Sequence, residues 1–181
     1  MNSNSFDINS QEFYYHVSPL HLGTGSVIKK GNWGRVIKLY IGNCNGLNLF
    51  RERVFEDIRL QNFPDKPSRL DAAYLLLSFE DAVRYLSVDN EAHRTSLIYK
   101  VRICNTSANS HLGNFNKVTV LPPDCHFEKM DEVAMNYWAG VGLHDPIIKH
   151  DLPTNTLIEL NTVELLVQSD IQVVECLNSN D

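Results

Sequence analysis

Apolar and polar positions alternate along some stretches of the chain and recur every three or four residues along others. Residues 13–18, Phe-Tyr-Tyr-His-Val-Ser, are a short aromatic run that predicts a strand, with a turn over 19–25. A loop centred on Trp33 leads into 35–41, a Val/Ile-rich stretch that also predicts a strand. Over 47–62 the apolar residues fall at 47, 50, 54, 55, 58 and 60 among charges, which is helical spacing ended before Pro64. A loop follows over 64–69. Residues 72–78, Ala-Ala-Tyr-Leu-Leu-Leu-Ser, read as a buried strand. Ser78 then stands as N-cap of a helix, with Asp81 three residues on, as in a capping box.

The second half is richer in strands. Over 96–104, Leu97, Tyr99, Val101 and Ile103 alternate with Ile98, Lys100, Arg102 and Cys104, a period of two. A short strand is predicted over 118–121, stopped by Pro122 and Pro123. Met130, Val133, Ala134, Tyr137 and Trp138 share one helical face, and Gly140 and Gly142 end that helix. Residues 157–177 predict two strands, 162–167 and 171–177, joined at Gln168-Ser169-Asp170. The mixture points to α+β rather than an alternating parallel sheet.

With 181 residues the chain suits a single domain over 1–181, with 1–11 and 178–181 expected to fray. A hydrophobic fraction of 43% and a charged fraction of 21% exclude disorder for the bulk of the chain. No apolar run is long enough for a membrane span, and the polar N-terminus does not read as a secretory signal. Sixteen Lys and Arg against 22 Asp and Glu leave a formal charge of −6, so total charge shows no nucleic-acid-binding face. A local basic groove from Arg51, Arg53, Arg59, Lys66 and Arg69 stays open. The four Cys, at 44, 104, 125 and 176, are widely spaced. They point to reduced thiols in a cytoplasmic protein and give no zinc motif. His111, His126, His144 and His150 are scattered and suggest no metal.

Three places carry chemistry. Tyr15-His16-Val17-Ser18 lies on the first strand, Tyr74 heads a strand-to-helix unit that also carries Ala82 and Tyr85, and Glu164 opens the late strand pair. In this order and context they resemble the ADP-ribosyltransferase superfamily, in its diphtheria-toxin-like and poly-ADP-ribose-polymerase-like branch with a His-Tyr-Glu triad. There the first motif is similar to Tyr-His-Gly-Thr. The second is similar to Tyr-Phe-Ala/Ser followed by a helix with Ala and Tyr. The third is similar to a Glu opening a strand that is followed by Val-x-Val. More narrowly, the chain resembles a small bacterial family of uncharacterised proteins. The shared phrases are Ile58-Arg59 with Phe63-Pro64-x-Lys66-Pro67-Ser68-Arg69-Leu70, Ser78-x-Glu80-Asp81-Ala82 with Tyr85-Leu86, and Tyr137-Trp138-x-Gly140.

The resemblance implies a split β-sheet with flanking helices and a mono-ADP-ribosyltransferase that takes NAD as co-substrate. The acceptor would be a macromolecule, either protein or RNA/DNA. A toxin, effector or conflict-system component is implied, and with it an antitoxin or inhibitor protein as partner. Breaking the nicotinamide–ribose bond builds positive charge on the ribose, and a carboxylate beside it stabilises that charge. By resemblance Glu164 takes this catalytic role, His16 bonds a ribose hydroxyl, and Tyr74 stacks on the nicotinamide. Tyr15, Ser18, Ser78 and Tyr85 join them as NAD-binding candidates. Arg69 and Arg53 stand as pyrophosphate anchors or ordinary surface charges. Residues 131–138 lie where relatives carry a target-recognition loop.

Two departures are visible. Val17 follows His16 where Gly is common, and Glu164 has no Glu or Gln two residues upstream, which argues against arginine as acceptor. Glu159 competes for the carboxylate role. Alternatives are an NAD glycohydrolase, a non-catalytic module binding NAD or ADP-ribose, and a relative that removes a 2′-phosphate from RNA.

Overall fold

Every strand pair in the computed structural model is antiparallel among the residues it describes, 6–40, 46–88, 95–119, 126–151 and 156–177. Chain order runs β1 (Tyr14–Ser18), β2 (Val27–Ile28), α1 (Asn32–Tyr40), α2 (Gly46–Asn62), a 3-10 turn (Arg69–Asp71), β3 (Ala73–Leu76), α3 (Phe79–Val88) and β4 (Leu97–Ile103). It continues with β5 (Ser110–Asn114), α4 (Phe115–Thr119), α5 (Phe127–Ala139), β6 (Ile147–Asp151), β7 (Thr156–Leu160), β8 (Val163–Val167) and β9 (Ile171–Cys176). Seven strands form one sheet in the order β2-β9-β4-β1-β3-β8-β5, and β6 and β7 form a separate two-stranded ribbon. The fold is α+β, with a mostly antiparallel sheet flanked by helices.

The sheet cannot be flat. β8 and β9 stand four strand spacings apart, about 19 Å on a flat sheet. The chain links them through Gln168, Ser169 and Asp170 alone, and the steps from Val167 to Ile171 reach about 15 Å at most. The sheet therefore curls, bringing the β3-β8-β5 side toward the β9-β4-β1 side. The main core fills that curl. Leu75 and Leu165 from one side pack in the same cluster as Tyr99, Val101, Ile171 and Val173 from the other. Strands 162–167 and 171–177 were expected as a joined pair, and the correction is that they pair with other strands instead.

Three further expectations change. Residues 35–40 are helical, within α1, and Ile41 lies outside the described residues. Val36 and Ile37 favour strand by propensity, but Gly34 and Ile37 are buried while Arg35, Val36, Lys38 and Leu39 are exposed, a spacing of three that suits a helix. Gly34 lies against the carbonyl of Leu70, where a Cβ would not fit, so α1 packs directly on the 3-10 turn. The predicted strand over 118–121 is also helix as far as it is described. Asn114 Oδ1 accepts from Lys117 N at 3.2 Å and starts α4 as an N-cap does. Finally, residues 6–11 are tied down rather than frayed. Ile8 is buried, its carbonyl accepts from Tyr14 Oη at 2.8 Å, and Gln11 donates to the Leu77 carbonyl at 3.1 Å.

The predicted helix over 47–62 forms, but its inward face differs from the apolar positions. Leu47 and Leu60 are exposed, whereas Arg51, Glu52, Phe55 and Arg59 are buried. α2 packs beside α5, and Phe55, Trp138, Val118 and Leu166 share a second core. The predicted N-cap at α3 is present: Ser78 Oγ accepts from Asp81 N at 3.0 Å and donates to Asp81 Oδ2 at 2.7 Å. α5 ends at Gly140 in the left-handed conformation, φ 72°, as its sequence predicts. Among the described residues no helix is long and apolar enough to cross a membrane.

A buried histidine in the core should make the fold acid-sensitive. His111 on β5 is buried against Tyr137 and Trp138, and its Nε2–H donates to the Tyr137 carbonyl at 3.1 Å. Burial, with the Lys66 charge nearby, brings its pKa from 6.5 down to about 3. The folded chain holds His111 neutral where the unfolded chain would protonate it. Its contribution is thus complete above about pH 6.5 and is lost as pH falls toward 3. Within that window the folding equilibrium should weaken by up to about tenfold per pH unit through this group. Denaturant titrations at stepped pH check this, and His111→Gln should flatten the slope by one proton's share.

Candidate functional site

Three neighbouring strands of the sheet, β1, β3 and β8, each contribute one of the three triad candidates. His16 lies on β1, Tyr74 on β3 and Glu164 on β8, and all three line one cavity of about 490 Å³. Its wall also includes Val17, Leu76 and Tyr85, Trp33 of α1, Asn48 and Arg51 of α2, Arg69 of the 3-10 turn, and Phe115 and Thr119 of α4. That volume suits a small-molecule ligand with a mainly apolar lining and a few fixed polar groups.

His16 donates Nδ1–H to the carbonyl of Tyr74, 2.9 Å away. This bond fixes the ring and leaves Nε2 as an acceptor for a hydroxyl. Burial lowers the His16 pKa, and the bond to the Tyr74 carbonyl only partly offsets it, so the ring is neutral near pH 7. Tyr74 donates its hydroxyl to the Arg69 carbonyl at 2.7 Å, with the Arg69 guanidinium 5.2 Å from its ring centre. Burial raises the Tyr74 pKa well above its ordinary value, so the phenol stays protonated. Tyr85 packs on Phe115 at 4.9 Å on another part of the wall.

Glu164 is only 3% exposed, facing Leu76 on one side and Gly113 on the other. Its Oε1 accepts from Tyr137 Oη at 2.9 Å and from Arg69 Nη1. No described residue donates to Oε2. Arg69 is likewise buried. Its Nε donates to Glu52 Oε2 at 3.0 Å, its Nη2 to Glu52 Oε1 at 3.4 Å, and its Nη1 to Tyr137 Oη at 2.9 Å. Arg51 closes the chain of charges, donating from Nη2 to Glu52 Oε1 at 3.1 Å. Burial works against the Arg69 charge, but Glu164 and Glu52 more than compensate and hold it protonated. Burial also pushes the Glu52 carboxyl up, and Arg69 and Arg51 outweigh that and hold it below 4.5.

Two Arg and two Glu thus neutralise one another beside the cavity. The tyrosines and Phe55 surround Arg69, whose guanidinium sits 5.2 to 5.7 Å from the three ring centres. Gly113 makes the arrangement fit, since a Cβ there would overlap the Tyr137 ring. Gly113→Ala should therefore cost about 1–3 kcal/mol by overpacking. Thermal unfolding of the variant, compared with the wild type, checks it.

A family described as "Protein of unknown function (DUF2441)" matches residues 1–179. The chain belongs to this family. Compared with curated proteins, it matches none.

Several sequence-based expectations take other places in this DUF2441 chain. Tyr15, Ser18 and Ser78 do not line the cavity. Tyr15 packs with Phe79, 6.1 Å between ring centres, because alternation along β1 sets it opposite His16. Ser18 Oγ accepts from Leu20 N at 3.2 Å in a turn, and Ser78 is the α3 cap. Arg69 is neither a surface charge nor an open anion anchor, since its donors face carboxylates and Tyr137. Arg53 is exposed, pairs with Asp57 at 2.9 Å and stands outside the cavity wall. The basic groove does not form: Arg51, Arg59 and Arg69 are buried against carboxylates and carbonyls, and Lys66 donates to the Trp138 carbonyl. Glu159 is exposed on the separate ribbon, away from the cavity. Of residues 131–138, Asp131 and Glu132 are exposed, Trp138 is core, and Tyr137 alone reaches Glu164. Trp138 donates Nε1–H to the Phe55 carbonyl at 2.7 Å. Cys104 and Cys176 are free thiols, and Cys44 and Cys125 lie outside the described residues.

Glu52 escaped the sequence reading as a member of the site; Arg51 entered it only as part of a basic groove, and Tyr137 only within the stretch 131–138. One signal was present. Arg51, Glu52, Phe55 and Arg59 fall at helical spacing on one face, so a face of mixed sign with a Phe at its centre marks a paired, buried stripe.

Proposed function

We propose that this chain is a mono-ADP-ribosyltransferase that binds NAD in the cavity of His16, Tyr74 and Glu164 and moves ADP-ribose to a macromolecular acceptor. The observation that carries the reading is the meeting of those three residues, from three adjacent strands, on one cavity wall. The sheet runs through seven strands without a break, so its curl rather than a split supports the reading. The NAD nicotinamide would stack on Tyr74, which is held by its bond to the Arg69 carbonyl. The ribose would place a hydroxyl on Nε2 of His16, a neutral acceptor whose other nitrogen is already bonded.

As the bond from ribose C1′ to nicotinamide breaks, its electron pair leaves with the nicotinamide and positive charge grows on the ribose. The Glu164 carboxylate stabilises that charge from a site with little water. An acceptor nucleophile then forms the new bond at C1′ and gives up its proton. Protein and nucleic-acid acceptors both fit this chemistry.

Arg69 and Val17 favour a second reading, a non-catalytic module for NAD or ADP-ribose. Arg69 neutralises part of the Glu164 charge, and Val17 stands on the cavity wall where the resembled family carries Gly. The test is incubation of purified protein with NAD labelled on its adenylate, alone and with cell lysate or total RNA. Transfer of label to a macromolecular fraction is the expected result. Nicotinamide release without transfer would indicate the glycohydrolase, and binding without either would indicate the module.

A further inference from the structure

We propose that Glu52, Arg69 and Tyr137 form a positioning device: Glu52 occupies the fork of Arg69, so that Arg69 and Tyr137 grip Glu164 through Oε1 alone and leave Oε2 for the ligand. This rests on the reading of Glu164 as the cavity's working carboxylate. The bonds define the asymmetry. Arg69 presents Nε and Nη2, the edge that normally clasps a carboxylate in two parallel bonds, to Glu52. Only Nη1 reaches Glu164, and the same oxygen takes the Tyr137 hydroxyl. Glu52 contributes no atom to the cavity wall, so it acts on the ligand through the wall residues it pairs with, Arg69 and Arg51.

Arg51 supplies the opposite constraint, holding Glu52 from its other side. Without the Glu52 charge, the Arg69 fork loses the carboxylate that turns it away from Glu164. A two-bond clasp would occupy both Glu164 oxygens and remove the acceptor that meets the ribose. A carboxylate one helix away thereby keeps the cavity carboxylate half free. Tyr137 adds direction. Its ring is fixed between Phe55, His111 and Trp138, and Gly113 lets it lie flush on β5.

The test uses Tyr137→Phe and Glu52→Gln in the full chain, with nicotinamide release from NAD measured well below each thermal midpoint. Tyr137→Phe removes one hydroxyl and keeps the ring packing, so it remains folded even if Glu52→Gln does not. It should lower kcat by about 10- to 100-fold, as expected for losing a hydrogen bond to a charged group. KM for NAD should stay unchanged. Glu52→Gln should act in the same sense, although residue 52 touches no ligand. Unchanged kcat in folded Tyr137→Phe overturns the inference, as does a loss that falls on KM alone. Glu164→Gln run in parallel separates the two failures. If it abolishes turnover while Tyr137→Phe and Glu52→Gln match the wild type, this inference fails and the proposed function stands. If Glu164→Gln matches the wild type, or the wild type does not turn over NAD, both fail.

Discussion

Glu164→Gln should lower nicotinamide release from NAD by about 10²–10³-fold while NAD still binds. The amide matches the carboxylate in shape and keeps an oxygen that can accept from Tyr137 and Arg69. What it lacks is the charge, and charge is what a ribose with developing positive character requires. Binding relies instead on the Tyr74 ring and on His16, which the substitution leaves in place. The loss should therefore appear in kcat, with NAD affinity by calorimetry close to that of the wild type. The substitution also reduces the pairing of buried Arg69, so rates belong well below the thermal midpoint of the variant. Equal kcat in the two proteins would remove Glu164 from the chemistry.

Glu52→Ala should produce the largest loss of stability, about 3–5 kcal/mol, because it strips a buried carboxylate from between two buried arginines. Glu52 is 1% exposed, so water cannot take its place. The consequence reaches Glu164, whose guanidinium partner loses its second anchor. For a chain of this length the thermal midpoint should fall by roughly 6–20 °C. Arg53→Ala, one residue along the same helix but exposed and paired among the described residues with Asp57, serves as control and should leave the midpoint in place. The pH dependence adds a signature. The folded Glu52 carboxyl is held below 4.5, so its contribution is present above that pH and fades as pH falls through the folded value. Chemical denaturation at pH 7 measures the stability loss itself. A loss no larger than that of Arg53→Ala would show that the buried chain of charges does not hold α2 to the sheet.

His16, Tyr74 and Glu164 were legible because each sits in a local pattern with its own period: an aromatic strand, an apolar strand running into a capped helix, and a late apolar strand. Their meeting on one cavity wall follows from the adjacency of β1, β3 and β8, a pairing of distant segments that no local pattern announces. Their neighbours Tyr15, Ser18 and Ser78 were drawn in by adjacency in sequence. Adjacency misleads along a strand, where successive side chains point to opposite faces, and at element ends, where Ser hydroxyls satisfy the backbone first.

α2 was legible as a helix but not by its inward face. Hydrophobic periodicity assumes that charge faces water, whereas Arg51, Glu52 and Arg59 are buried in pairs that cancel. The same assumption made Arg69 look like a surface anchor. Residues 35–40 were misread for a different reason. Val36 and Ile37 carry strand propensity, and the contact of Gly34 with the Leu70 carbonyl belongs to tertiary packing that no local window contains.

NAD binding in the cavity is tested most directly by a crystal structure of Glu164→Gln soaked briefly with NAD, which the substitution should cleave only slowly. NAD should lie in the cavity, with its nicotinamide against the Tyr74 ring and a ribose hydroxyl within hydrogen-bond distance of His16 Nε2. An empty cavity at saturating NAD, or NAD bound elsewhere on the molecule, would contradict it.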